Sequence, residues 1–154
     1  MPARSGGLSY PIGKLLGEKS MEATYKISCD CGTVSMTLSG APRVRGHCHC
    51  QACRTLLNTP YHSVTAWNPD QLSVTKGADQ LASFQHPNLQ MKKIFCSGCG
   101  EVMWNTNAMD WRVVSQHLIA KNNGGHLPEA LGSLSHFHYG GRIVDVEDPL
   151  PKKD

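Results

Sequence analysis

The sequence predicts a mainly β chain of small sheets stapled by metal-binding cysteines, and three observations carry that reading. Short runs of alternating apolar and polar residues recur from residue 22 onward, most clearly Val34, Met36 and Leu38 set against Thr33, Ser35 and Thr37. The 15 Gly and 9 Pro fall largely between such runs, where tight turns need them. Seven cysteines sit in three tight groups, Cys29/Cys31, Cys48/Cys50/Cys53 and Cys96/Cys99.

Taken in order, residues 1–20 contain Arg4, Gly6, Gly7 and Pro11 where a signal peptide would need a continuous apolar core. We therefore expect a flexible N-terminal extension over 1–20 and one domain over 21–154, a length that buries a single core. Residues 33–38 form a half-buried strand that Gly40-Ala41-Pro42 ends. Two further strands, 64–67 and 72–75, flank the turn signal Asn68-Pro69-Asp70, and 81–84 pairs with 91–95 across His86-Pro87-Asn88. Strands at 102–105 and 111–115 follow, then one helical turn at 128–131. A terminal hairpin of 137–139 and 142–146 is expected across Gly140-Gly141.

Composition narrows the function. Hydrophobic residues at 40% and charged residues at 18% suit a folded soluble chain. A net charge of +3, spread along the sequence, argues against a nucleic-acid partner or a polybasic membrane patch. No apolar run approaches the roughly 18 residues of a membrane span. Clustered cysteines without a secretory signal read as metal ligands in a reducing cytoplasm, not as a disulfide framework.

Cys29-Xaa-Cys31 is followed by Gly32, and Cys96-Xaa-Xaa-Cys99 by Gly100. Each has the form of a zinc knuckle, in which two nearby sulfurs share an ion and the glycine turns the backbone through positive φ. Two such half-sites make one closed site of four cysteines. Spacing alone also allows Cys29 and Cys31 to join sulfurs of the central group. If the flanking pairs close on each other, Cys48, Cys50 and Cys53 remain as a three-thiolate set able to hold zinc with an open position.

Three thiolates make a soft, electron-rich site, which activates water poorly and prefers a soft fourth ligand. That points to a substrate thiol, which a metal deprotonates outright and can present to an electrophilic carbonyl. Arg45 and Arg54 flank the cluster and could balance its charge or hold a substrate carboxylate; the competing reading is ordinary solvated arginine. His47 and His49 alternate with the cysteines, so they face the other way in an extended stretch. Either could move a proton, against a structural role bonded to backbone. His136 and His138 could meet on one strand face, although nothing nearby in sequence completes a metal site. Trp67, Trp104 and Trp111 read as core or lip residues.

Taken together, C-x-C-G at residues 29–32, H-C-x-x-C-R at 49–54 and F-C-x-x-C-G at 95–100 resemble the glutathione-dependent formaldehyde-activating enzyme family. Asp148-Pro149-Leu150-Pro151 is similar to that family's D-G-L-P ending. The resemblance implies the Mss4-like fold shared with a zinc-binding chaperone of small GTPases, built of small twisted antiparallel sheets around zinc. It implies two zinc ions per chain, a structural one on Cys29, Cys31, Cys96 and Cys99 and a catalytic one on Cys48, Cys50 and Cys53. His49 and Arg54, inside the matching motif, are the further candidate catalytic residues. The implied activity is that of a carbon-sulfur lyase condensing glutathione with formaldehyde. The chain departs from the family pattern by lacking a G-T-L-D-D-like stretch after the last cysteine pair, by Ile143 in place of Trp, and by Pro149 in place of Gly. The alternative is a zinc-stapled binding module without catalysis, since the family's relatives include a centromere protein and the GTPase chaperone. The unmatched three-cysteine group favours the enzyme.

Overall fold

The computed structural model describes residues 22–154, so the expected extension over 1–20 lies outside the described residues. Strand β1 (Thr24–Ser28) turns back through the first cysteine pair into β2 (Ser35–Ser39), with Ile27 opposite Met36. The expected alternation holds: Met36 and Leu38 are buried while Ser35, Thr37 and Ser39 are half-buried. The chain then enters β3 (Val44–Cys48), helix α1 (Gln51–Leu57) and β4 (His62–Trp67). A short 3-10 turn at Pro69–Gln71 leads into β5 (Leu72–Lys76). Its Pro69 stands in the first turn, where a missing N–H costs nothing.

β4 and β5 do not pair with each other. β5 joins β2 in a three-stranded sheet ordered β1-β2-β5, whereas β4 lies between β3 and β9 (Arg112–Ser115) in the second sheet. Gly77 closes this crossing at φ 72°, and a Cβ there would run into the carbonyl oxygen of Thr33. The second sheet also includes β6 (Leu81–Gln85), β7 (Lys92–Cys96), β8 (Val102–Asn105) and the short β10 (His136–Phe137). Its order is β10-β3-β4-β9-β8-β7-β6. β6 and β7 form the expected hairpin, from Leu81 opposite Cys96 to Gln85 opposite Lys92.

Helix α2 (Gln116–Lys121) follows β9 and is capped by Ser115, whose hydroxyl accepts from the His117 N–H. Its Leu118 and Ile119 join Ile27, Val34, Met36, Leu38, Trp67 and Met103 in the main core. Trp67 is fully buried and donates its indole N–H to Thr65 Oγ1 at 2.8 Å, which settles its only polar atom.

The terminal hairpin is a correction. β10 (His136–Phe137) is only two residues long and pairs parallel with β3, the one parallel strand pair among the described residues. His138 then adopts a left-handed conformation at φ 54°, and Tyr139–Gly141 forms a 3-10 turn. Residues 142–146 carry no strand, leaving Ile143 and Val144 exposed. Gly140-Gly141 is thus a turn without a returning arm. The final segment instead runs back beside β10, where Pro151 O accepts from His136 N and Lys153 N donates to His136 O. The expected helical turn at 128–131 is present as a 3-10 turn over Glu129–Leu131.

Candidate functional site

The turn between β1 and β2 carries Cys29 and Cys31; Cys96 ends β7 and Cys99 lies in the turn that follows. Each pair is shaped by a following glycine with positive φ, 76° at Gly32 and 79° at Gly100. Backbone N–H groups already point at the sulfurs: Val34 donates to Cys29 Sγ and Gly98 to Cys96 Sγ, both at 3.3 Å. The sulfur separations are 3.6 Å for Cys29–Cys31 and 3.7 Å for Cys31–Cys96. Four sulfurs each about 2.3 Å from a tetrahedral zinc lie about 3.8 Å apart, so this group fits the ion. Hydrogen bonding with Thr33 pulls the Cys31 thiol down to about 6, towards the thiolate a metal needs. Spacing had left the partition of the cysteines open; the folded chain gathers these four.

The second group is assembled where β3 ends and α1 begins. Cys48 closes the strand, Cys50 is the helix N-cap with extended backbone, and Cys53 lies in the first turn, where its N–H donates to Cys50 Sγ at 3.3 Å. Cys48 and Cys53 sulfurs are 3.6 Å apart, and all three sulfurs lie within 4.8 Å of one another. Among the described residues no further His, Cys, Asp or Glu joins this metal-binding group. Without a cation the sulfurs compete for protons. Contacts with Cys48 and Cys53 push Cys50 down, the contact with Cys50 pushes Cys48 up, and contacts with Cys48 and Cys50 push Cys53 up. A divalent cation would remove that competition.

Arg54 commits two donors to backbone. Its Nε bonds the carbonyl of His49 at 3.0 Å and its Nη2 the carbonyl of Gly141 at 3.1 Å, tying the cysteine loop to the C-terminal turn. Arg45 donates to the carbonyl of Ala130. His47 and His49 do face away from the thiols: His47 Nδ1 lies 2.8 Å from Ser63 Oγ, and His49 is fully buried. Burial and the nearby His136 ring push both histidines down, towards the neutral form.

On that opposite face the chain has built a network that the sequence reading did not contain. His136, also fully buried, places Nδ1 2.9 Å from His49 Nε2 and Nε2 2.9 Å from Asp148 Oδ2. The Asp148 carboxylate also takes Lys152 Nζ at 2.6 Å and the Leu150 N–H at 3.1 Å; Lys152 first and His136 second hold it well below the usual carboxylate range. An ionised Asp148 must accept from His136 Nε2–H, so a neutral His136 accepts at Nδ1 and His49 donates from Nε2. His49 Nδ1 is left buried without a partner among the described residues. Tyr61 stacks on the His49 ring at 4.7 Å and Tyr139 meets it edge-on at 5.0 Å. His136 and His138, which strand alternation would have allowed to meet on one face, do not meet, because the left-handed turn at His138 breaks the alternation.

The three sulfurs open onto a cavity of about 560 Å³. Val44, Ala66, Leu89, Met91, Trp111 and Phe137 make up much of its wall. Trp111 is therefore a lip residue. On the other side of Cys50 and His138 lies a separate groove of about 390 Å³ bordered by Gln51, Arg54 and Asp154. Among the described residues no helix is long and apolar enough to cross a membrane.

Comparisons with known proteins agree with the geometry. The family model described as glutathione-dependent formaldehyde-activating enzyme matches residues 24–128, which contain all seven cysteines. A crystal structure of a Rhodobacter sphaeroides protein, determined as a structural genomics target, shares the fold with a TM-score of 0.50 and 21% identity. The match covers 72% of this chain and 98% of that one. No curated protein matches the chain.

Proposed function

The chain belongs to the glutathione-dependent formaldehyde-activating enzyme family, and from that premise we propose that it joins a small thiol to an aldehyde at Cys48, Cys50 and Cys53. Glutathione is the thiol and formaldehyde the aldehyde that the family's name suggests, which makes the reaction that of a carbon-sulfur lyase running in either direction. The observation that carries the reading is a three-sulfur group of zinc-binding spacing, with no fourth protein ligand beside it among the described residues and a cavity in front of it. Two zinc ions per chain follow, one on the three sulfurs and a structural one on Cys29, Cys31, Cys96 and Cys99. Zinc bound at the three cysteines would supply a Lewis acid that holds a substrate thiol as its thiolate at neutral pH.

The protein's own groups do the rest. Cys50 and Cys53 sit on a capped helical turn and Cys48 on a paired strand, so the three sulfurs are preorganised. Arg54 and His49 act as positioning residues: the first pins the loop through two carbonyls, and the second anchors its middle from behind. The apolar wall excludes water from the carbonyl carbon under attack. Exchange NMR of glutathione and formaldehyde with zinc-loaded protein tests the proposal, after subtraction of the spontaneous rate. Acceleration that disappears in Cys53→Ser is the expected result. A zinc-loaded, folded protein that accelerates nothing would leave a binding module.

A further inference from the structure

The cavity in front of the three sulfurs is much larger than formaldehyde, and among the described residues no Lys, Arg, Asp or Glu lines it. Away from the sulfurs and His138 its wall is formed by Val44, Ala66, Leu89, Met91, Trp111 and Phe137, with the uncharged amides of Asn88, Gln90 and Asn107 beside them. At about 560 Å³ it falls in the range of pockets that enclose ligands of drug size. Glutathione carries two carboxylates, and placing either against this wall would strip its hydration with no cation in return. The neighbouring groove has the opposite character, with the Arg54 guanidinium, the Asp154 carboxylate and Gln51 at its border, a set that suits a zwitterion. Cys50 and His138 belong to both spaces. The reactive group thus stands at the junction of a polar groove and an apolar cavity.

We infer that the apolar cavity receives the hydrocarbon body of a medium-chain or aromatic aldehyde, while the thiol approaches from the polar groove. The inference rests on the thiol–aldehyde reading above and names the aldehyde class. The sulfur attacks the carbonyl carbon and a C–S bond forms. The C=O π pair moves to oxygen, which takes a proton from solvent to replace the one the thiol released. The product is an S-(1-hydroxyalkyl) adduct, and no redox partner is needed. Chain length is read by burial, at about fourfold in affinity for each methylene removed from water.

Two measurements test it. In the first, protein labelled with ¹³C at the methionine methyls is titrated with 1-hexanol and with ethanol, neither of which reacts. Met91 and Met109 border the cavity, whereas Met36 and Met103 lie in the main core. Hexanol should shift Met91 and Met109, leave Met36 and Met103 in place, and bind at least tenfold more tightly than ethanol. In the second, zinc-loaded protein turns over glutathione with hexanal or with formaldehyde, and hexanal should win by about tenfold in kcat/KM. Ala66→Leu narrows the cavity and should cut the hexanal-to-formaldehyde ratio severalfold. Met109→Lys, at a position 64% exposed where folding is not at risk, should weaken hexanol binding by a similar factor. Absence of the Met91 shift, an equal ratio for the two aldehydes, or faster turnover of hexanethiol with formaldehyde than of glutathione with hexanal would each overturn the inference. Failure of turnover with every pair, alongside the expected methionine shifts, would overturn the proposed reaction and leave the cavity's ligand class standing.

Discussion

Replacing His136 by Phe should destabilise the protein far more than its two hydrogen bonds suggest on a surface count. Phe keeps an aromatic ring at the site but is somewhat larger, so a modest overpacking cost adds to the polar loss. His136 and His49 are both fully buried, and the 2.9 Å bond between them serves the only paired nitrogen of the His49 ring. Without it His49 holds two unpaired nitrogens away from water, a cost of about 1–3 kcal/mol. Asp148 behaves differently, because it keeps Lys152 and the Leu150 N–H and its side chain is 26% exposed, so water can replace the imidazole. Asp148→Asn should therefore be milder than His136→Phe, and the double variant should cost little more than His136→Phe alone. Urea unfolding of zinc-loaded protein reads the difference as a fall in midpoint with an unchanged m-value. A His136→Phe protein within about 0.5 kcal/mol of the parent would refute the argument, as that is the scale of an ordinary surface change.

Two further outcomes follow from the cysteines and from His62. Cys96→Ser should yield an unfolded or insoluble chain, because structural zinc sites contribute on the order of 10 kcal/mol, whereas Cys53→Ser should remain folded and lose one of two ions by metal analysis; identical behaviour of the two would refute the division of roles. His62 is 9% exposed, and burial pushes it down from 6.5 to about 4. The unfolded chain therefore binds that proton first: the stabilisation is complete above about pH 6.5 and is lost as pH falls towards 4, a change of about 3 kcal/mol. His62→Phe should flatten the stability profile between pH 7 and pH 4 relative to the parent, and an equally steep profile in circular-dichroism melts would show that His62 is not the group responsible.

What the sequence made legible were features encoded within a few residues of each other. The knuckle spacing of Cys29/Cys31 and Cys96/Cys99, the alternation across Val34–Leu38 and the β6–β7 hairpin are all local patterns, and the structure contains them. Helix α1 was missed because Gln51–Leu57 follows a C-x-C run that reads as extended; the signal was Cys50, whose sulfur takes the capping role usually filled by Ser or Asp. Helix α2 had the plainer mark of Ser115 as its cap. The His49–His136–Asp148 network had no local signal at all, since its members are separated by 87 and 12 positions. It depends on a parallel pairing at a sheet edge, and nothing in the two residues of β10 announces a partner.

That edge pairing explains why one short strand serves both faces of the site. In the parallel register His136 lies beside His47 and Phe137 beside Cys48, so neighbours in the pair present their side chains to the same face. The histidines gather on the buried side with Asp148, while Phe137 and the thiols face the cavity. Gly46, one position earlier in β3, makes room: a Cβ there would strike the Phe137 ring and the Ser135 carbonyl. A slip of one residue would bring His136 into the apolar wall and leave Asp148 facing a phenyl ring. Bonds on both sides of β10 oppose that slip, with His47 N and His49 N donating to Ser135 O and Phe137 O, and the 151–153 segment pairing across from them. The C-terminal segment, remote from the cysteines in sequence, is thereby what holds the cysteine face and the histidine face apart.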